Sequence, residues 1–190
     1  NKYKNKETNE MIVYHGSNSC FKNLRIHKSL VKSSATALNE GLGIYFSLDK
    51  NVASSYGRYL YTLEINNKYV KDFRVKSVCK KYVVDLIRFI YLKENVDISK
   101  YFDINNLVEY IHTGNIAVSG IGREVYMLLD SNEYWYNIEQ DKIERIYKIL
   151  ENYDKNNLTV YLFNYNIPNI GVIKKIDDSI VRIISREKMY

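Results

Sequence analysis

The stretch MIVYHGSNS, residues 11–19, places a histidine and a glycine directly behind a short apolar run. β-branched and aromatic residues followed by Gly16, Ser17 and Asn18 predict a strand that ends in a turn. His15 offers an imidazole, and Gly16 leaves its backbone uncovered, so a flat ligand could approach the main chain. Taken alone, His15 fits equally well as a structural histidine that bonds a neighbouring turn.

A second stretch, GLGIYFSLDKNVASSYG at residues 41–57, predicts a strand and then a short helix with Asp49 as its N-cap and Gly57 at its end. Tyr45 lies in the strand and Tyr56 lies on the helix. A strand-turn-helix unit can fold back and set two such rings around a planar ligand. The alternative is that both are ordinary core or surface aromatics, because the chain has 19 tyrosines.

The remaining pattern predicts an α+β or split-sheet plan, with three strands, a helical middle and three further strands. RYLYTLEI is the third predicted strand, and one of its faces is expected to be exposed to solvent. From about residue 71 to 155 the period becomes helical. The clearest helical segments are KKYVVDLIRFIYL, NLVEYIHTG and QDKIERIYKILENY, and the C-terminal strands are LTVYLFNY, IGVIKKI and SIVRIIS.

Length and composition predict one soluble domain over residues 11–190, preceded by a polar leader at residues 1–10 that does not resemble a signal peptide. No apolar run reaches the roughly 20 residues of a membrane-spanning helix. Cys20 and Cys79 have neither metal-site nor redox spacing, and two free or buried thiols are expected.

The net charge of +6 favours an acidic partner, although the cations are scattered along the sequence and a generally solvated basic surface is the simpler interpretation. No metal site is expected, because His27 and His112 lack partners at ligand spacing. The chain has no phosphate-binding glycine motif.

Taken in order, Y-H-G-S, G-x-G-I-Y-F-S, A-x-x-Y-G and L-Y-T-L-E-I resemble the ADP-ribosyltransferase fold of the diphtheria-toxin and poly(ADP-ribose) polymerase type, which carries a His-Tyr-Glu triad. The motifs are similar to those of small bacterial and phage transferase-like domains. The resemblance covers residues 12–65 well, and beyond them only the strand-rich tail looks similar. It implies a split antiparallel sheet with a helical insertion at about 71–155.

The resemblance implies NAD as the ligand and substrate. His15 would bond a ribose, the backbone of Gly16 would hold the nicotinamide carboxamide, and Tyr45 and Tyr56 would sandwich the nicotinamide ring. Second contacts and diphosphate donors are implied at further positions, namely Ser17, Ser47, Lys28, Lys32 and Ser33.

The third triad position departs from the family pattern. The family has a glutamate opening a late strand, whereas NIPNIGVIKKIDD offers only Asn166, Asn169 and Gly171 near its start. Glu124, in GREVYMLLDSN, is the best available carboxylate if that segment is a strand. If the segment is helical, Glu124 is a surface charge, and either an asparagine replaces the acid or NAD is bound without turnover.

The expected function is therefore mono-ADP-ribosylation of a macromolecular acceptor. A protein side chain is the first expectation for the acceptor, and the basic charge keeps nucleic acid as the alternative. Roles as a toxin, effector or phage counter-defence factor fit the resemblance, with a cytoplasmic location in the producer or host, or secretion as an effector. The rivals are a catalytically silent binding module and an RNA 2′-phosphotransferase.

Overall fold

The computed structural model of the chain describes residues 9–25, 43–113, 121–165 and 167–190. The described strands form one open sheet of mixed direction. Their bounds are β1 Glu10–Ser17, β2 Ile44–Ser47, β3 Tyr59–Asn66, β4 Val70–Asp72, β5 Val160–Tyr165, β6 Ile167–Ile173 and β7 Val181–Lys188. The seven strands lie in the order β4-β5-β6-β2-β1-β3-β7. Neighbouring strands are antiparallel except β4 and β5, which are parallel.

A short helix follows β2, and four longer helices lie between β4 and β5 in the chain. Their bounds are α1 Lys50–Ser54, α2 Lys76–Glu94, α3 Ile104–His112, α4 Ile121–Asp130 and α5 Gln140–Asn157. Short 3-10 turns occur at Asn67–Tyr69, Ile98–Tyr101 and Glu133–Asn137. The side chain of Asp49 accepts a hydrogen bond from the N–H of Asn51, which confirms the predicted N-cap. The helix ends at Ser54, however, so Tyr56 lies in the turn after α1 and not on the helix as predicted.

Two apolar clusters cover the two faces of the sheet. The helix-side core joins α2–α5 to β5 and β6, and the far-side core lies on the opposite face. The helix-side core includes Leu86, Ile90, Val125, Trp135, Leu150, Tyr161 and Val172. The far-side core includes Val13, Phe46, Tyr61, Leu63, Ile65, Leu162 and Val181. Since side chains alternate along a strand, neighbouring residues of a strand point into different cores.

The α+β prediction is confirmed, as are the six strands and the principal helices read from periodicity. In β3, Tyr61, Leu63 and Ile65 are buried, as the alternation predicts, but Leu60 is buried too. Strand β4 was not predicted, because three residues are too short to show an alternating pattern.

The interpretation of GREVYMLL as a strand is wrong, because this segment belongs to α4. Val125 and Leu129, one helical turn apart, are both fully buried. Gly122 makes the close packing against α5 feasible, since a Cβ there would lie 2.4 Å from the carbonyl oxygen of Leu150. The helical alternative for the segment is therefore the correct one.

Both cysteines are free thiols. Cys20 is exposed, whereas Cys79 is buried and its thiol donates to the carbonyl of Phe73. Burial raises the pKa of Cys79 to about 11, so it is not a thiolate at neutral pH. None of the helices in the described ranges combines the length and apolar character needed to cross a bilayer.

Candidate functional site

The predicted site residues meet where β1 and β2 diverge. Strand β1 pairs with β3 along its whole length, from Glu10 to Ser17. Its ladder with β2, in contrast, consists of the single register pair Tyr14↔Ser47. Beyond that pair the Nδ1 atom of His15 lies 2.5 Å from the backbone oxygen of Tyr45. A side chain thus links the two strands where backbone pairing ends.

The bond to Tyr45 sets the tautomer of His15. A carbonyl oxygen only accepts, so Nδ1 must carry the hydrogen, and Nε2 of the neutral ring is left as an acceptor. Burial lowers the pKa of His15, and the bond to Tyr45 opposes this effect only in part. The ring is therefore neutral at physiological pH, and Nε2 can accept a hydrogen bond from a hydroxyl group.

Two aromatic side chains on the side of the far-side core pack beside His15. The rings of Phe21 and Tyr61 stack in parallel with their centroids 4.0 Å apart, and both centroids lie about 6 Å from the imidazole. The Tyr61 hydroxyl accepts from the N–H of Phe21 and donates to the carbonyl of Ser19. These bonds tie the segment after β1 to β3, and so restrict the motion of His15.

Helix α1 lies against the opposite face of β1. A Cβ on Gly16 would lie 2.0 Å from the carbonyl oxygen of Ala53 and 3.1 Å from the Cβ of Tyr56. Gly57 lies equally close to β1, since a Cβ there would be 2.2 Å from the carbonyl carbon of Ser17. Both glycines are therefore required by the close approach of the α1 segment to the end of β1. The prediction that Gly16 leaves this side of the backbone uncovered for a flat ligand is wrong, because α1 occupies the space.

Tyr45 and Tyr56 lie on the same face of the sheet. Tyr45 packs against the helix-side core, while its neighbour Phe46 is in the far-side core. Side chains alternate along β1, and His15 points to the far-side core. The position of Gly16, the next residue, therefore lies on the same face of the sheet as the Tyr45 side chain. Tyr56, 58% exposed, stands beside Gly16 on that face. The structure thus places Gly16, Tyr45 and Tyr56 on one face of the sheet, whereas the His15 side chain lies on the opposite face and is joined to this group only by its bond to the backbone of Tyr45.

The two predicted serines take part in local turns. The Ser17 hydroxyl accepts from the N–H of Ser19 at 3.1 Å, and the Ser47 hydroxyl accepts from the N–H of Asp49 at 2.9 Å. Ser47 is 3% exposed. Their predicted contacts with a ligand stay predictions.

The late strand expected to carry an acid is β6, the neighbour of β2. Ile170 pairs with Ser47, and Gly171 pairs with Phe46. Ile170 is half-buried and packs against the helix-side core, as Tyr45 does. The β6 side chain next to Ser47 on the face of Tyr45 is therefore apolar.

Asn169 is held on β6 by three hydrogen bonds. Its side-chain oxygen accepts from Nη1 of Arg74, its N–H donates to Asn164, and its carbonyl accepts from the N–H of Leu48. Its φ of 58° is left-handed, a conformation that asparagine tolerates better than most residues. These bonds fix the start of β6 against the end of β2.

A carboxylate that the sequence analysis missed is joined to this network. Asp72, at the end of β4, binds Arg74 through both carboxylate oxygens, at 2.9 and 2.8 Å, and Arg74 reaches on to Asn169. The bonds and charge of Arg74 outweigh the effect of burial and lower the pKa of Asp72, so it is ionised at neutral pH. The Asp-x-Arg spacing is a weak sequence signal, because nothing local links residue 72 to β6.

The other candidates lie elsewhere. Glu124 belongs to α4, which packs against α5 in the helical layer and not in the sheet. Lys28, Lys32, Ser33 and Asn166 lie outside the described residues. Within the described ranges no group of three or more histidine, cysteine and carboxylate side chains could hold a metal ion.

Comparison with known proteins yields little. No protein-family model matches the chain, and the search of curated proteins gave no match. An anti-CRISPR protein of known crystal structure is similar over 92% of this chain and 96% of its own, with a TM-score of 0.42 and 15% identity. A likeness this weak carries no conclusion about function.

Proposed function

We propose that the chain is an NAD-dependent ADP-ribosyltransferase whose site lies where β1, β2 and α1 meet. The observation that carries the proposal is the bond between His15 and the backbone of Tyr45, at the point where β1 and β2 diverge. It brings together motif residues that are 30 positions apart.

Each residue has a physically reasonable part in binding NAD. Nε2 of the neutral His15 ring would accept a hydrogen bond from a ribose hydroxyl. The rings of Tyr45 and Tyr56 would enclose the nicotinamide on the face of Gly16, and the ribose would reach His15, which lies on the opposite face, past the end of β1. The backbone of Gly16 would bond the carboxamide, and its lack of a side chain is what admits α1 so close to β1.

The reaction breaks the bond between nicotinamide nitrogen and ribose C1′, and nicotinamide leaves with the bonding electrons. The sugar passes through an oxocarbenium-like state, which an ionised carboxylate stabilises. A nucleophile of the acceptor then bonds to C1′ and loses its proton to solvent or to a base. The carboxylate that we test for this role is Asp72, which is ionised and is joined through Arg74 to Asn169 on β6; β5 and β6 lie between its strand and β2.

A second candidate is an NAD-binding module without turnover. The observation that favours it is Ile170, an apolar residue at the β6 position that faces the same way as Tyr45 and pairs with the adjacent Ser47. In that case NAD would bind at the same residues but would not be cleaved.

One set of measurements separates the two candidates. Calorimetry measures NAD binding, and release of nicotinamide measures cleavage, for the wild type and for His15→Ala and Tyr45→Ala. The transferase requires both binding and release, with both lost in the variants while their circular dichroism is unchanged. Binding without release identifies the silent module. No binding, or activity equal in all three proteins, contradicts the site itself.

A further inference from the structure

A cluster of four exposed cations surrounds the end of β1 on the side of β3 and β7. We call Lys22, Arg58, Arg186 and Lys188 the basic rim. Arg186 pairs in register with Tyr61, which itself pairs with His15, so the three side chains form one row across β1, β3 and β7.

Further contacts place the other members beside that row. Nη1 of Arg186 lies 3.5 Å from the carbonyl oxygen of Phe21, the residue before Lys22. The carbonyl of Arg58 accepts from the N–H of Met189, the residue after Lys188. The N–H of Arg58 donates to Asn18 at the end of β1. The basic rim is therefore contiguous with the segment that carries His15.

The charges of the rim are not neutralised by neighbouring carboxylates. None of the ion pairs formed among residues 9–25, 43–113, 121–165 and 167–190 involves a rim residue. Glu187 lies between two of them in sequence, but it points to the other face and pairs with Lys50. A surface of uncompensated like charge favours a polyanionic partner.

The excess positive charge of the chain lies outside residues 71–155. Residues 71–155 contain 13 basic and 14 acidic residues, whereas the rest of the chain contains 15 basic and 8 acidic residues. The segment that carries the four longer helices therefore contributes nothing to the net charge of +6, which favours an anionic partner for the remainder of the chain.

We propose that the basic rim binds the phosphate backbone of a single-stranded nucleic acid, and, resting on the proposed function, that this strand is the acceptor of ADP-ribose. Arg186 and Lys188 are two residues apart on one face of β7, about 7 Å along the strand, which suits successive phosphates of an extended chain. The exposed ring of Tyr190, two residues after Lys188, adds a surface on which a base can stack. An acidic protein offers no such regular spacing of charge.

The test measures fluorescence anisotropy of a labelled single-stranded oligonucleotide, in the absence of NAD, over a range of salt concentrations. The rim variant is Arg186→Gln with Lys188→Gln, and the control is Lys80→Gln with Lys100→Gln, which removes the same charge from exposed positions in the helical layer. The rim variant should bind at least about tenfold more weakly, and its salt dependence should fall by about 0.7 for each lost phosphate contact. The control should bind like the wild type.

Three results would overturn the proposal: no binding by the wild type, equal weakening in rim and control variants, or tighter binding of a polyglutamate peptide than of the oligonucleotide. Thermal melts of all proteins show whether the variants are folded. Calorimetry with NAD is run on the same preparations. Oligonucleotide binding without NAD binding would refute the proposed reaction and leave the rim as a nucleic-acid surface, whereas NAD binding without oligonucleotide binding would refute the rim alone.

Discussion

The imidazole of His15 donates from Nδ1 to the backbone oxygen of Tyr45 at 2.5 Å, and this bond spans two strands that share a single register pair. It fixes the ring so that Nε2, the remaining acceptor, is available to a ligand. The geometry separates the structural role of the histidine, at Nδ1, from its proposed binding role, at Nε2.

That separation can be tested with two substitutions. His15→Asn places an amide N–H near the position of Nδ1 and can keep the bond to Tyr45, but it has no counterpart of Nε2. We expect its melting temperature to stay close to that of the wild type and its affinity for NAD to fall about tenfold, the value of one hydrogen bond. His15→Ala lacks both ring nitrogens, so its melting temperature and its affinity for NAD should both fall. If His15→Asn bound NAD like the wild type, Nε2 would have no role.

Tyr56 is expected to act through its ring and not through its hydroxyl. Tyr56→Phe should therefore bind NAD like the wild type, whereas Tyr56→Ala should lose about 3- to 10-fold in affinity, the range expected for one aromatic contact. Because the side chain is 58% exposed, neither substitution should alter stability. Tyr134→Ala, at a residue 63% exposed on the helical layer, is the matched control. Equal affinity of Tyr56→Ala and this control would exclude stacking.

Gly16→Ala should push α1 away from β1. The new Cβ would meet the carbonyl oxygen of Ala53 at 2.0 Å, and this contact is with backbone, so no side-chain rotation relieves it. We expect the free energy of unfolding in urea to fall by about 1–3 kcal/mol, with weaker NAD binding. Ser17→Ala, the next residue, should change stability much less. A Gly16→Ala protein as stable as the wild type would show that α1 does not pack as described.

Asp72→Asn tests the assignment of the third catalytic position. If the ionised carboxylate stabilises the oxocarbenium-like state, nicotinamide release should slow by about 100-fold while the NAD dissociation constant changes little. Asp85→Asn, which breaks the exposed ion pair with Lys81, controls for loss of a paired carboxylate. Equal rates in the two variants would remove Asp72 from the mechanism.

Asp154 predicts a distinct pH dependence of stability. It is buried in the helical layer, where it accepts from the hydroxyl of Tyr82 and the N–H of Gly122. Burial raises its pKa from 3.8 to about 6, against the opposing effects of these bonds and of Lys174. Between those two pH values the folded state binds more protons than the unfolded state, so this group makes stability fall as pH rises, by up to about 3 kcal/mol.

The measurement is urea unfolding of the wild type and Asp154→Asn from pH 4 to pH 7.5. Stability of the variant relative to the wild type should increase with pH, because the variant has no carboxylate to ionise. Comparing the two proteins cancels the other titrating groups, such as Asp72, whose lowered pKa has the opposite effect. A difference that does not vary with pH would show that Asp154 titrates normally.

The local pattern was sufficient for the elements of the proposed site. The apolar run before His15, the Asp49 cap and the alternation in β3 are each encoded within a few residues, and all three are confirmed. The same reasoning failed for residues 121–130, since a short apolar run fits a buried strand or a buried helix equally well. Its packing against α5 decided between them.

Only the tertiary structure decided which residues face one another. Register between β2 and β6 puts Ile170 beside Ser47. Arg74, which binds Asp72, also bonds Asn169, which is 95 positions away in the sequence. Strand order and register follow from how distant segments bury their apolar faces together, and this information is not present in any local window. The sequence by itself thus determined the strands other than β4, the start of the first helix and the histidine near the end of β1. The folded chain determined that His15 bonds Tyr45 and that α1 covers Gly16. It also determined that Asp72, on a strand too short to predict, is linked through Arg74 to β6.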